Sequence, residues 1–104
     1  MHKPSPPSAV SQTLSALSEG IKYVADRKNR DTLVDVMRKI ISHSLFLTTE
    51  QRQTYLLPLR FLHYDTLLEL KDVFIRENMR YLEEMVRKNL LEREAIERLK
   101  MQNV

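Results

Sequence analysis

The chain has 104 residues, 30% of them charged, with 17 lysines and arginines against 14 acidic residues, one glycine, four prolines and no cysteine. That length supports one domain with a modest core, and the missing cysteines exclude disulfides, iron–sulfur clusters, thiolate zinc sites and thiol catalysis. The single glycine and the lack of any Asn-Gly or Asp-Gly pair exclude the closely spaced hairpins of a small β domain.

A composition rich in Leu, Arg, Lys and Glu favours helix. The expected fold is therefore all-α, a small bundle of three to five helices ending in a long C-terminal helix. Met1 to Val10 lacks the apolar stretch of a signal peptide, and the longest uncharged central run, Ile40 to Thr49, is broken by Ser42, His43 and Ser44. It falls short of the ~18 apolar residues of a membrane span. No membrane association is expected, and an intracellular, by default cytoplasmic, location follows from the absence of cysteine.

Pro4, Pro6 and Pro7 leave residues 1–7 as an extended, flexible Pro/Ser tail, with residues 8–104 as a single helical domain. Ser8 is placed to cap a first helix whose apolar residues Val10, Leu14, Leu17, Ile21 and Val24 recur at spacings of four and three, giving one narrow stripe for docking. Gly20 weakens that helix. The segment Ala25 to Asp31 is a break, with Asn29 as a C-terminal cap and Asp31 as the N-cap of a second helix. From Thr32 to about Ser44, Leu33, Val34, Val36, Met37, Ile40 and Ile41 form a wide apolar face, so this is a core helix. Thr48 and Gln51 have capping-box spacing, which predicts a third helix from Thr49. Pro58 then kinks or breaks the chain. From Thr66 to Met101 no glycine or proline interrupts a long helix that can extend from the domain. Its residues Leu68, Ile75, Met79, Leu82, Val86 and Leu90 follow a repeat near 3.5, with Glu83/Arg87, Glu84/Lys88 and Glu94/Arg98 as i,i+4 pairs.

Chemistry is poorly represented. His2, His43 and His63 lie in unrelated contexts, and no nucleophile–base set, His-Glu-x-x-His, EF-hand loop or glycine-rich phosphate loop occurs. His63 beside Tyr64 and Asp65 reads better as a helix-boundary histidine than as an acid–base group. Asp65, Glu69 and Asp72 share one helical face, but Lys71 and Arg76 nearby make a solvated face the simpler reading than a metal site. No catalytic residue, metal, cofactor or small-molecule substrate is expected.

Two surfaces remain. Up to Arg52 there are eight basic and five acidic residues, and from Gln53 onward nine of each, so the net positive charge sits in the first half. There Lys22, Arg27, Lys28, Arg30, Arg38 and Lys39 cluster in sequence and, on a helix–loop–helix, would contact phosphates of DNA or RNA without reading bases. A plain solvated loop is the competing reading. The other surface is the long helix: Leu68, Ile75, Met79, Leu82, Val86 and Leu90 are core or interface positions, and the helix is about twice the length of the others, so part of its stripe has no cover within one chain. The leading expectation is thus a non-enzymatic adaptor or scaffold that works through helix–helix contacts with a protein partner or as a homo-oligomer. The alternative is a small helical subunit of a nucleoprotein complex, or a regulator, that uses the basic region of residues 22–39.

Overall fold

A computed structural model describes residues 8–102; the expected tail over residues 1–7 lies outside the described residues, as do 103–104. Four α-helices and two 3-10 turns account for most of the described chain, and no strand is present among these residues. The helices are α1 (Ala9–Lys22), α2 (Arg30–Ser42), α3 (Thr49–Leu56) and α4 (Tyr64–Gln102). The molecule is the expected small all-α bundle with a long C-terminal helix. No helix of the described chain is long and apolar enough to cross a membrane.

α2 is the hub, packing against each of the other three helices. Its predicted face, Leu33, Val34, Val36, Met37, Ile40 and Ile41, is entirely buried. The helix starts earlier than the sequence suggests, because Asp26 caps a 3-10 turn at Arg27–Asn29 by accepting from the Lys28 N–H, and that turn runs directly into Arg30. Asn29 is therefore the N-cap residue of α2 and no C-terminal cap of α1. Arg52 closes the other end of α2, its guanidinium donating to the Ser44 carbonyl from Nε at 3.2 Å and from Nη2 at 2.8 Å.

α1 begins as predicted, with the Ser8 hydroxyl accepting from the Ser11 N–H, but it buries a different face. Thr13, Ala16, Leu17 and Gly20 are buried, whereas Leu14, Ile21 and Val24 are 50%, 64% and 81% exposed. The reason is close approach. A β-carbon at Gly20 would lie 2.7 Å from Ile40 Cδ1 and 3.0 Å from Ile75 Cδ1, so small residues let α1 sit directly on α2 and α4. The glycine expected to weaken α1 is what allows it to dock.

The capping box forms at α3: the Thr48 hydroxyl accepts from the Gln51 N–H and the Thr48 N–H donates to the Gln51 side chain. Pro58 breaks the chain. α3 ends at Leu56, and a 3-10 turn at Leu59–Phe61 leads to α4. Leu59, 1% exposed, plugs that turn into the core.

α4 runs for 39 residues, about 58 Å at ~1.5 Å per residue. Its buried positions are Leu67, Lys71, Phe74 and Asn78; Leu67, Phe74 and Asn78 each stand one residue before Leu68, Ile75 and Met79 of the expected stripe. Two of these are polar, and both have roles. The Lys71 ammonium lies 3.4 Å from the Gly20 carbonyl, which also accepts the Tyr23 N–H at 3.3 Å, and 5.2 Å from the Tyr23 ring centre, so it faces the negative pole at the end of α1. Asn78 donates to the Ser44 hydroxyl at 2.9 Å and to the Phe74 carbonyl at 2.8 Å. Nearby, the Thr13 hydroxyl stands 2.6 Å from the His43 carbonyl.

Candidate functional site

The two predicted surfaces fare differently in three dimensions. Leu68, Ile75 and Leu82 are half-buried and pack against the core, while Met79, Val86 and Leu90 are 42%, 59% and 55% exposed. Beyond Met85 the helix leaves the bundle: every residue from Val86 to Gln102 is exposed. These residues form an arm of about 25 Å at ~1.5 Å per residue, and they include Leu91, Ile96 and Leu99 among the large exposed apolar side chains.

At the root of the arm lies a groove of about 420 Å³ between α1 and α4, lined by Leu14, Met79, Leu82, Val86 and Leu90 with Glu83 and Arg87 at its edge. Leu14, expected on the docking stripe of α1, lines this groove beside residues of α4. Its i+7 neighbour Ile21 is exposed on the same face of α1. Glu83 and Arg87 form no ion pair among the described residues, and neither do Glu84/Lys88 or Glu94/Arg98; Glu84 instead meets Arg80 at 3.6 Å.

The basic region does not form one surface. The Arg30 guanidinium is committed to the fold, donating to the carbonyls of Arg60 and Leu62. Lys39 reaches Glu19 on α1 at 2.9 Å. Arg38, its neighbour in sequence, projects to another side, into a cleft bordered by α3. Arg27 lies 3.7 Å from Asp65, both well exposed, and Lys22 and Lys28 are exposed without an ion pair among the described residues. Thus Lys22, Arg27 and Lys28 remain exposed around the connection between α1 and α2, while Arg30 and Lys39 are engaged within the fold and Arg38 lines the α3 cleft.

The histidines stay apart: His43 follows α2, and the His63 carbonyl accepts the Leu67 N–H at the start of α4. No group of three metal-ligating side chains is present among the described residues. The Tyr64 hydroxyl is pushed up to about 12 by burial and by the hydrogen bond with Tyr23, whose oxygen lies 3.4 Å away. That pair ties α4 to the chain leaving α1. No protein-family description, curated protein or solved structure matches this chain.

Proposed function

We propose that this chain is a helical assembly protein that associates with a second copy of itself through the root of the α4 arm. The observation that carries this reading is the fully exposed half of α4, Val86 to Gln102, adjoining an apolar groove that ends at Leu90. A helix with no tertiary cover is marginal in water at this length, and a second helix in the groove supplies the cover.

The arrangement of the groove favours a self-complementary, antiparallel partner. With a twofold axis at Val86, Leu82 of each copy faces Leu90 of the other, and Glu83 comes beside Arg87 of the other copy, so a charge pattern unused within the chain becomes attractive between chains. The same register lays one copy's Gln102 beside the other's Leu70. Around the axis the exposed apolar side chains of Met79, Val86 and Leu90 on the two helices meet. Leu14 and Ile21 of α1 flank the incoming arm.

The test is sedimentation equilibrium on the full chain and on Leu90→Glu, a substitution at an exposed position that leaves the core intact. The wild type is expected to be a dimer, and Leu90→Glu a monomer of unchanged helicity; equal masses for the two would sink the reading. Because the chain has no cysteine, single introduced cysteines report the register. Val86→Cys should cross-link to its own copy, whereas Leu99→Cys, about 39 Å from its mate at ~1.5 Å per residue, should not. Efficient cross-linking at both positions would indicate a parallel pair instead.

A further inference from the structure

The cleft of about 650 Å³ between α2 and the chain following α3 shares no residue with the α4 groove. Its apolar part is made by Leu56, Leu57 and Phe61, and its charged edge by Arg38 and Arg60. Leu57 is 78% exposed and Phe61 85%. Such exposure on a loose loop would mean little, but this turn is clamped. Pro58 ends α3, the Phe61 N–H donates to the Pro58 carbonyl at 2.9 Å, Leu59 is sunk in the core, and Arg30 holds the carbonyls of Arg60 and Leu62 from below. With Leu59 inward, the geometry of a short 3-10 turn directs Arg60 and Phe61 outward. The aromatic ring is therefore presented on a prepared support, which reduces the ordering cost of an interface.

The charges specify the kind of partner. Arg38 and Arg60 form no ion pair among the described residues, and no carboxylate lines the cleft. Asp31 and Asp35 lie in the adjoining depression, which the two arginines also border. Carboxylates are thus favoured on the cleft side of the arginines and repelled beyond them, which sets where a partner's charges can lie. Two guanidiniums beside projecting apolar side chains suit carboxylates carried by an apolar surface, since arginine pairs with carboxylate through a planar fork and loses little hydration in doing so. A polyphosphate chain would gain nothing from Leu57 and Phe61 and would meet the two aspartates.

We infer that this cleft docks an acidic amphipathic helix of another protein, its apolar residues at i, i+3, i+4 and i+7 set against Leu56, Leu57 and Phe61, and its glutamates or aspartates paired with Arg38 and Arg60. This is the helix-in-groove mode of recognition. It is independent of self-association through α4, and a chain that remains monomeric can still use it.

The experiment is selection from a displayed library of helices of about five turns, with leucines at i, i+3, i+4 and i+7 and the flanking positions randomised among Glu, Lys and Gln. Against the full chain, Glu should be enriched beside the leucines. Against the Arg38→Glu/Arg60→Glu variant, Lys should be enriched instead, and Phe61→Ser should weaken the best Glu helix by at least ~10-fold, the scale of an interface hot spot. All three substitutions lie on the surface of the cleft, and the helical circular dichroism of each variant confirms that it folds. The inference is overturned if nothing is enriched, if the same charges are enriched on both baits, or if Phe61→Ser leaves affinity unchanged. It is equally overturned if Phe61→Ser alters the mass of the chain on its own, because the cleft would then belong to a contact between copies.

Discussion

The side-chain nitrogen of Asn78 donates to the Ser44 hydroxyl across 2.9 Å, at a place where Asn78 is 1% exposed and Ser44 is fully buried. The serine in turn donates to the Ile40 carbonyl at 2.6 Å, so a short polar chain joins the end of α2 to the middle of α4. A buried pair of this kind contributes modestly in net terms but is costly to break on one side only. A double-mutant cycle on Ser44→Ala and Asn78→Leu is expected to give a coupling of about 1 kcal/mol by urea unfolding. Additive losses would mean that the two side chains act independently.

Gly20 makes a second prediction. Replacing it with alanine gains ~1 kcal/mol of helix propensity but drives a β-carbon into Ile40 and Ile75, and overpacking costs about 1–3 kcal/mol. Gly20→Ala should therefore be destabilising by about 1 kcal/mol, and Gly20→Val by more, since a β-branched side chain adds volume against Ile40 and Ile75 while propensity improves less. A gain in the urea midpoint for Gly20→Ala would show that α1 has room to move away.

Alkaline pH should weaken the fold through Tyr64. Its folded value of about 12 stands above the ordinary 10.0, so between those values the unfolded chain releases a proton that the folded chain keeps. Stability conferred by this group is complete below pH 10 and is lost as pH rises toward 12. Phenolate absorbance should show one tyrosine titrating late, and Tyr64→Phe should flatten the decline of stability across that window. A decline of the same steepness in Tyr64→Phe would assign it to other groups.

Nucleic-acid binding, the alternative use of the basic region, is limited by geometry. With Arg30 committed to backbone carbonyls, Lys39 paired to Glu19 and Arg38 in another cleft, three cations remain together. The slope of log affinity against log salt on duplex DNA should be no steeper than about −2.7, whereas six contacts would give about −5.4. Fluorescence anisotropy at ~50 and ~200 mM salt distinguishes the two, and a slope near the larger value would restore the six residues as one site.

The readable parts of this fold were those set by neighbours along the chain. The Ser8 cap and the Thr48–Gln51 box depend on groups within three residues of each other, and Pro58 acts on the residue before it. α2 was legible for another reason: as the hub it is covered by three helices, so its buried face is wide and wholly aliphatic. α1 and α4 are less legible where their buried faces are small or polar. A periodicity of large apolar residues selects Leu14, Ile21 and Met79, yet Thr13, Gly20, Lys71 and Asn78 take the inner positions, each because a group distant in sequence accepts its hydrogen bond or fills the space it leaves.

The candidate surfaces divide in the same way. That α4 exceeds its cover followed from length alone, because an uninterrupted helical pattern from Thr66 to Met101 extends farther than the other helices can reach. Which apolar residues it leaves exposed, which arginines are spent on backbone carbonyls and where Leu57 and Phe61 emerge were decided only by tertiary packing. Helix ends arise from backbone groups and side chains within about one turn, and these the sequence states directly. Burial and the direction of charge arise from contacts such as Arg30 with Leu62 or Lys71 with Gly20, 32 and 51 residues apart, which no local pattern encodes.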